Sequence, residues 1–312
     1  MSIDRSTIIR GPAKVTFGGE TFWSKGDISL KPTVSRFEVE TSRFGRVDER
    51  FSDKSLVVSF EPSGRFTTAL AAVLWPFPAT SIGASIFGAS DSPLVIHTVA
   101  GQKVTIHNAA LTSMPDINLG VGTTIQGDVE FTGLLVNNAD PSDANSYYTS
   151  AAIAYDGDTG FNTSDIPTLA YGSAWGAVSP WDSFNTEEGW SLSFDLSMRN
   201  ELVDGLGTVD MTLQELQVTA TSIPVGPTVE DALAKQGINA TALGSSVQAA
   251  SDDLIISGTG VYVAMYSAAL VENDIGYGND RKTLGSADWI ATRTVTAGVA
   301  DPLFYVSTAA PV

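Results

Sequence analysis

"SLSFDLSM", residues 191–198, alternates without a break. Leu192, Phe194, Leu196 and Met198 fall on one side, and Ser191, Ser193, Asp195 and Ser197 on the other. A period of two sends successive side chains to opposite faces of an extended chain, so the octet reads as a strand with one buried face and one wet face. The same rhythm, rich in β-branched and aromatic residues, runs through "SLVVSFE" (55–61), "KVTIHNAAL" (103–111), "GDVEFTGLLV" (127–136), "LQVTATS" (216–222), "LIISGTGVYVAMY" (254–266) and "WIATRTV" (289–295). Gly and Asn clusters separate these runs. Only two stretches have helix character. "RFTTALAAVLW" (65–75) stops at Pro76. "VEDALAKQ" (229–236) has Thr228 as N-cap, Glu230 and Asp231 in its first turn and Gly237 beyond its end. The expected fold is mainly β, of the α+β kind.

The order of these elements occurs twice. "PLVIHTVAGQKVTIHNAALTSMPDINLG" (93–120) stands against "DLIISGTGVYVAMYSAALVENDIGYG" (253–278), with "VTIHNAAL" matching "VAMYSAAL" at an offset of 159. "TIIRGPA" (7–13) corresponds to "TLAYGSA" (168–174). Each candidate helix follows a strand and a Pro/Gly turn. A supersecondary order repeated at a near-constant interval marks duplication. The expected organisation is therefore a first unit over 1–136, a linker or insertion over 137–167, and a second unit over 168–312. Each unit carries one of the two candidate helices. The connecting stretch, "NNADPSDANSYYTSAAIAYDGDTGFNTSDIP", is rich in Asp, Ser, Asn and Gly.

Composition removes whole classes of function. The chain has 312 residues, 43% of them hydrophobic, enough for substantial cores. It has no cysteine, so disulfides and thiolate metal sites are excluded; this suits assembly in a reducing cytoplasm. "MSIDRSTIIRGPAKV" has no apolar signal core, and the run "ALAAVLW" (69–75) falls far short of the ~20 residues that span a bilayer. No membrane partner is expected. The net charge of −18 is unevenly placed: residues 1–65 carry +2 and residues 66–312 carry −20. Such an acidic surface repels nucleic acid, because neutralising phosphates needs clustered bases.

Catalytic signatures are missing. Histidine occurs only as His97 and His107, too few for a metal triad without further ligands. There is no G-x-S-x-G elbow, Walker loop or dinucleotide fingerprint, and "GTGVYV" (258–263) joins two strands instead of opening a helix. With 35 acids, carboxylate pairs carry no information about glycoside hydrolysis. "DGDTG" (156–160) reads either as a flexible acidic loop or as a Ca²⁺ loop using Asp156 and Asp158. Trp23, Trp175, Trp181 and Trp190 read either as packing residues or as a sugar-binding platform. No enzyme and no cofactor are expected.

One stretch stands out against this background. "SRFGRVDERFSD" (42–53), continued by Lys54, crowds Arg43, Arg46 and Arg50 among Asp48, Glu49 and Asp53, with Phe44 and Phe51 beside them. It forms a charged hairpin, 42–54, in the connection between two strands. The matching connection of the second half, "RNELVDGLGT" (199–208), reads as several residues shorter, so the charged stretch reads as a decoration of one copy.

"GPAKVTFGGETFWSKGDISLKP", followed by "VETSRFGRVDER" and "LVVSFEPSGRF", resembles the major tail tube proteins of long-tailed bacteriophages. The resemblance is clearest over residues 8–75 and extends through the duplication to 168–300. It implies two tandem β-sandwich or barrel-like units, each flanked by one short helix, in a virion protein assembled in the host cytoplasm, in which six such units close into a ring and rings stack into a channel that conducts DNA. Tape-measure, tail terminator and baseplate or tip proteins are the implied partners. Two units per chain imply a homo-oligomer of three chains in a pseudo-hexameric ring. Under this reading Arg43, Phe44, Arg46, Asp48, Glu49, Arg50, Asp53 and Lys54 form an inter-ring or inter-subunit contact, or pair only among themselves. Glu38, Glu40, Asp128, Glu130, Asp195 and Asp210 either line the channel, where acids keep passing DNA from sticking, or face outside solvent. The alternative is a carbohydrate-binding or adhesion module of a phage particle.

Overall fold

The computed structural model describes residues 13–63, 66–87, 92–120, 127–134, 148–155, 175–179, 181–203, 207–238, 242–246, 251–258, 260–277, 282–293, 295–296 and 299–311. The first half holds β1 (Ala13–Phe17), β2 (Glu20–Ser24), β3 (Ser29–Thr41), β4 (Gly45–Phe60), β5 (Pro62–Ser63), α1 (Thr68–Leu74), β6 (Ser92–Thr98), β7 (Gln102–Ser113), β8 (Ile117–Leu119), β9 (Val129–Gly133) and β10 (Tyr148–Ala152). The second half holds β11 (Trp175–Val178), β12 (Trp181–Val203), β13 (Gly207–Val225), α2 (Val229–Lys235), β14 (Asp252–Gly258), β15 (Val261–Tyr277) and β16 (Lys282–Ala291). The paired β17 (Val295–Thr296) and β18 (Val299–Ala300) follow, and then β19 (Phe304–Ser307). Both helices form where expected. The Thr67 hydroxyl accepts the Leu70 N–H, and Thr228 and Asp231 form a reciprocal capping box.

The strands make two antiparallel units. In the second, β11, β14, β15, β16, β13 and β12 follow one another, and β11 pairs with β12 to close a six-strand barrel. In the first, the order is β3-β4-β9-β7-β6-β1-β2-β5, and β5, which continues β4, pairs back on β2 through Trp23↔Ser63. The alternation read in 191–198 is realised: Leu192 and Phe194 are buried, while Ser191 and Asp195 are exposed. Phe22, Phe60 and Phe131 stack in the first core, and Trp181, Phe184 and Trp289 meet edge-on in the second. Each such fully buried large side chain stabilises the fold by roughly 1.5–3 kcal/mol.

The pairings repeat residue by residue. Lys14↔His97 and Val15↔Ile96 recur as Trp175↔Ser257 and Gly176↔Ile256. Leu94↔Ile106 recurs as Leu254↔Met265, and the bulge between Ser92 and Leu94 recurs between Asp252 and Leu254. β10 on β7 (Ile106↔Tyr148) is matched by β19 on β15 (Met265↔Phe304). The two units are therefore built to one plan.

Two expectations are corrected. First, the hairpin arms are equally long outward from Ser29↔Ser59 on β3–β4 and from Ser191↔Thr221 on β12–β13. Thr41↔Gly45 closes one and Val203↔Gly207 the other, 162 residues on, and both tips turn into a glycine with positive φ. Even their bulges coincide, at Ser35/Arg36 and Ser197/Met198, and at Val39/Glu40 and Glu201/Leu202. The charged stretch is thus a recoloured arm, not an insertion. Low identity at the tips hid the match, because solvent-facing strand positions constrain composition little. Second, Tyr148–Ala152, inside the expected linker, is a strand held by pairing with β7, although "YTSAA" has weak strand propensity. A joint that the sequence reading did not address is also present: β8 of the first unit adds to β12 of the second.

Candidate functional site

The arm β3–β4 leaves the first unit's sheet and is wet on both faces: nearly every residue from Ser29 to Ser52 is exposed. Residues directly opposite in an antiparallel pair share a face. Glu38↔Glu49 and Glu40↔Arg46 are such pairs, and Arg46 relieves the like charges by reaching Glu38 at 2.8 Å and Glu49 at 3.1 Å. Arg36 reaches Glu49 at 3.7 Å. Arg50 donates to Asp48 at 3.1 Å, and this bond, helped by the Glu49 N–H, holds the Asp48 carboxyl below the usual carboxylate range. Arg36 and Lys54 lie over the Phe51 ring at 5.3 and 4.7 Å, and Arg43 over Phe44 at 5.1 Å. Exposed pairs of this kind contribute about 0–1 kcal/mol each, so strand pairing, not charge, keeps the arm together. What they leave uncovered is apolar: Phe37, Val47, Phe51 and Phe44, the last 70% exposed. An aromatic-and-charged strand pair with both faces wet is suited to meeting protein.

The second arm shows what covering looks like. Segment 83–86 of the first unit lies along β13: the Ile86 N–H donates to the Met211 carbonyl, the Leu213 N–H to Ala84, and Ser85 bridges Thr212. β8 pairs with β12 through Leu119↔Trp190, Asn118↔Ser191 and Ile117↔Leu192. Asp53, at the root of the first arm, accepts the Thr208 N–H and hydroxyl, both at 2.8 Å. Trp75 packs on Phe194, which packs on Phe304, and the Trp75 indole donates to the Pro115 carbonyl. Gly189 is required here: with φ +89 it lies so close to β8 that a Cβ would sit 2.0 Å from the Leu119 carbonyl oxygen.

Of the eight contact residues expected in 42–54, Asp53 hydrogen-bonds to the other unit, whereas Arg46, Asp48, Glu49 and Arg50 pair within the arm. The six acids do not form one cluster. Glu38 and Glu40 lie on the first arm, Asp210 on the second, where it accepts the Met211 N–H, and Asp195 is exposed mid-strand on β12. Glu130, half-buried on β9, is within reach of the Thr112 hydroxyl. Asp128 lines an open cleft of about 820 Å³ between the units, with Glu188, Trp190 and the Lys25–Glu61 ion pair at 2.5 Å. Among the described residues no group of three His, Asp or Glu is placed to hold a metal. His97 is buried against Tyr155 with its Nε2 at 3.1 Å from the Ile153 carbonyl. Trp181 and Trp190 are core residues, which removes them from a sugar platform. Asp156 and Asp158 lie outside the described residues.

Sequence reasoning missed the seam. Its signal was present as a second repeat, "ATSIGASI" (79–86) against "ATALGSSV" (240–247), whose first copy contains the segment that docks on β13. No family model matches the chain, and no curated protein matches it.

Proposed function

We propose that the chain is a structural subunit of a bacteriophage tail tube. Three copies, each supplying two units, form a pseudo-hexameric ring, and stacked rings conduct DNA during ejection. The observation that carries this reading is the presence, in one chain, of two units of one topology joined through unlike surfaces. A unit that joins the next through a different face of itself builds rings or filaments, not closed pairs. The role is architectural, with no catalysis and no cofactor. Tape-measure, terminator and baseplate proteins are the partners this role requires, and the virion is its place. Mixed charge on the arm suits contact between identical copies, where each base finds an acid across the joint. The exposed Asp195 and its fellow acids keep DNA mobile if they face the channel. Burial of Trp181 and Trp190 takes two of the four candidate tryptophans away from the glycan-binding alternative.

Electron microscopy of the purified protein, with native mass measurement, tests this. Rings or hollow tubes with three chains per ring are expected. A monomer that persists at high concentration would overturn the reading.

A further inference from the structure

We propose that the seam joining the two units inside the chain is repeated between chains, so that the second unit of one copy docks on the bare arm β3–β4 of the next. This deepens the tail tube reading and depends on it only for the number of chains in a ring.

The units share one plan, so every contact across the internal seam has a counterpart on the outer surfaces. Three contacts of the seam can be followed through the repeat: in them a strand, a segment and a carboxylate of the first unit meet the second. β8 adds to the edge of β12 at 190–192. The counterparts are Ile275–Tyr277 of β15 and 28–30 beside β3. β3 ends its sheet, and Ser29 and Leu30 are exposed. β15 at 275–277 pairs with β16 on one side, while β14, on the other, stops pairing at Ala268. The correspondence extends to the flanking glycines, since Gly127 crowds Asp116 as Gly285 crowds Asp274.

Next, segment 83–86 covers the β13 edge at Met211–Leu213. Its repeat partner begins at Gly244, and the covered edge corresponds to Glu49–Phe51 on β4. Among the described residues no strand pairs with that stretch of β4 on the side away from β3. Leu243, beside Gly244, is fully exposed, and Phe51 is 58% exposed. The two bare places each carry an apolar side chain that docking would cover.

Finally, Asp53 accepts from the backbone and side chain of Thr208. The counterpart of Asp53 is Glu215, exposed, and that of Thr208 is Arg46, half of whose side chain is solvent-accessible. An acid faces a base at a point where the internal seam already uses a carboxylate. All three counterparts place the acceptor surface on the first unit and the donor surface on the second. A copy therefore adds head to tail, in the same sense as the internal seam.

The chain has no cysteine, which makes the test clean. In the proposed register Gly276 lies opposite Ser29, and a Cβ at Gly276 meets nothing within 4 Å. Asn118 and Ser191, whose side chains are hydrogen-bonded at 3.0 Å, form the internal control. Oxidised N118C/S191C should cross-link within a single chain. Oxidised S29C/G276C should run as covalent multimers, with a closed three-chain species dominant, since opposed strand residues fall within disulfide reach. Closed multimers of another size would keep this seam and overturn the three-chain ring. Tubes without cross-links would overturn the seam and leave the tail tube reading standing. An oxidised monomer with no tubes would sink both. As a second arm, E215R or R46E alone should raise the concentration needed for assembly at least tenfold, and the double variant E215R/R46E should restore it. No recovery in the double variant would count against the register.

Discussion

The two hairpin arms have the same length, the same bulges and the same glycine at the tip, yet one is covered and the other is bare. Where β13 is covered, its edge reads Met211-Thr212-Leu213; the corresponding stretch of bare β4 reads Glu49-Arg50-Phe51. Backbone geometry was kept and side chains were changed to suit the company each arm keeps. Covered, the edge is apolar and permanent. Bare, it carries charge on both faces, which discourages indiscriminate strand pairing before assembly. The pairs Trp75/Gln236 and Leu74/Lys235, related by the same repeat, show the same drift from apolar to polar on the α1 and α2 sides. The difference teaches that a duplicated unit can make one joint permanent and leave its twin reversible.

The largest effect that could break this comparison is at Trp75. Its ring lies 6.0 Å from Phe66 and 6.4 Å from Phe194, and it is almost wholly buried. Trp75→Ala should cost about 3–5 kcal/mol in denaturant unfolding. Gln236→Ala, at the twin position, should stay within about 0.5 kcal/mol. Equal losses would mean that the internal seam is not the apolar one.

Next comes the glycine pair. Gly189→Ala forces a methyl onto the Leu119 carbonyl at a positive φ and should cost about 2–3 kcal/mol by thermal unfolding. Gly276→Ala, on the bare counterpart, has open space and should be neutral within about 0.5 kcal/mol. A neutral Gly189→Ala would show that β8 does not hold β12 as closely as described.

How much of this was legible in the sequence depended on burial. Alternation of the kind seen at Leu192 and Phe194 survives duplication because a core fixes both size and polarity, so strands, helices and the repeat could be read directly. The arms could not. At Phe37, Phe44 or Leu202, all largely exposed, no core fixes size or polarity, so their register was lost and a matched arm looked like an insertion. The charged cluster drew attention, yet four of its members pair only locally. Asp53 mattered through a contact 155 positions away that no local pattern announces. β10 was missed because "YTSAA" becomes a strand only when β7 offers an edge.

A smaller effect is expected at Asp53 itself. Asp53→Ala removes two hydrogen bonds to Thr208 and should cost about 1–2 kcal/mol, since the acceptor is charged and the site half-buried. Glu215→Ala should leave the stability of the isolated chain within about 0.5 kcal/mol while weakening association, measured by sedimentation. Loss of stability in both would erase the distinction between the covered and the bare joint.

The smallest net change, and the one with the clearest signature, is at Lys235. Its counterpart Leu74 is fully buried in α1; Lys235 is buried in α2 and its Nζ donates to the Ser179 carbonyl at 2.6 Å. Burial pulls the ammonium below the lysine's ordinary 10.5, with Asp252 pulling weakly upward. The folded chain therefore binds this proton less readily than the unfolded one. Stability contributed by this group rises with pH between the lowered folded value and 10.5. Lys235→Leu would copy the first unit's helix. Near neutral pH the gain in apolar burial is offset by a Ser179 carbonyl left without its donor, worth about 1 kcal/mol, so the midpoint should move little. The pH dependence should change more: the wild-type chain should gain stability relative to the variant as pH rises toward 10.5. Tyr266, whose phenol is pushed up by burial and by Asp253, acts in the opposite sense above pH 10 but is common to both proteins and cancels in the difference. A difference curve flat with pH would mean that Lys235 is solvated in the folded chain and that α2 is not buried as α1 is.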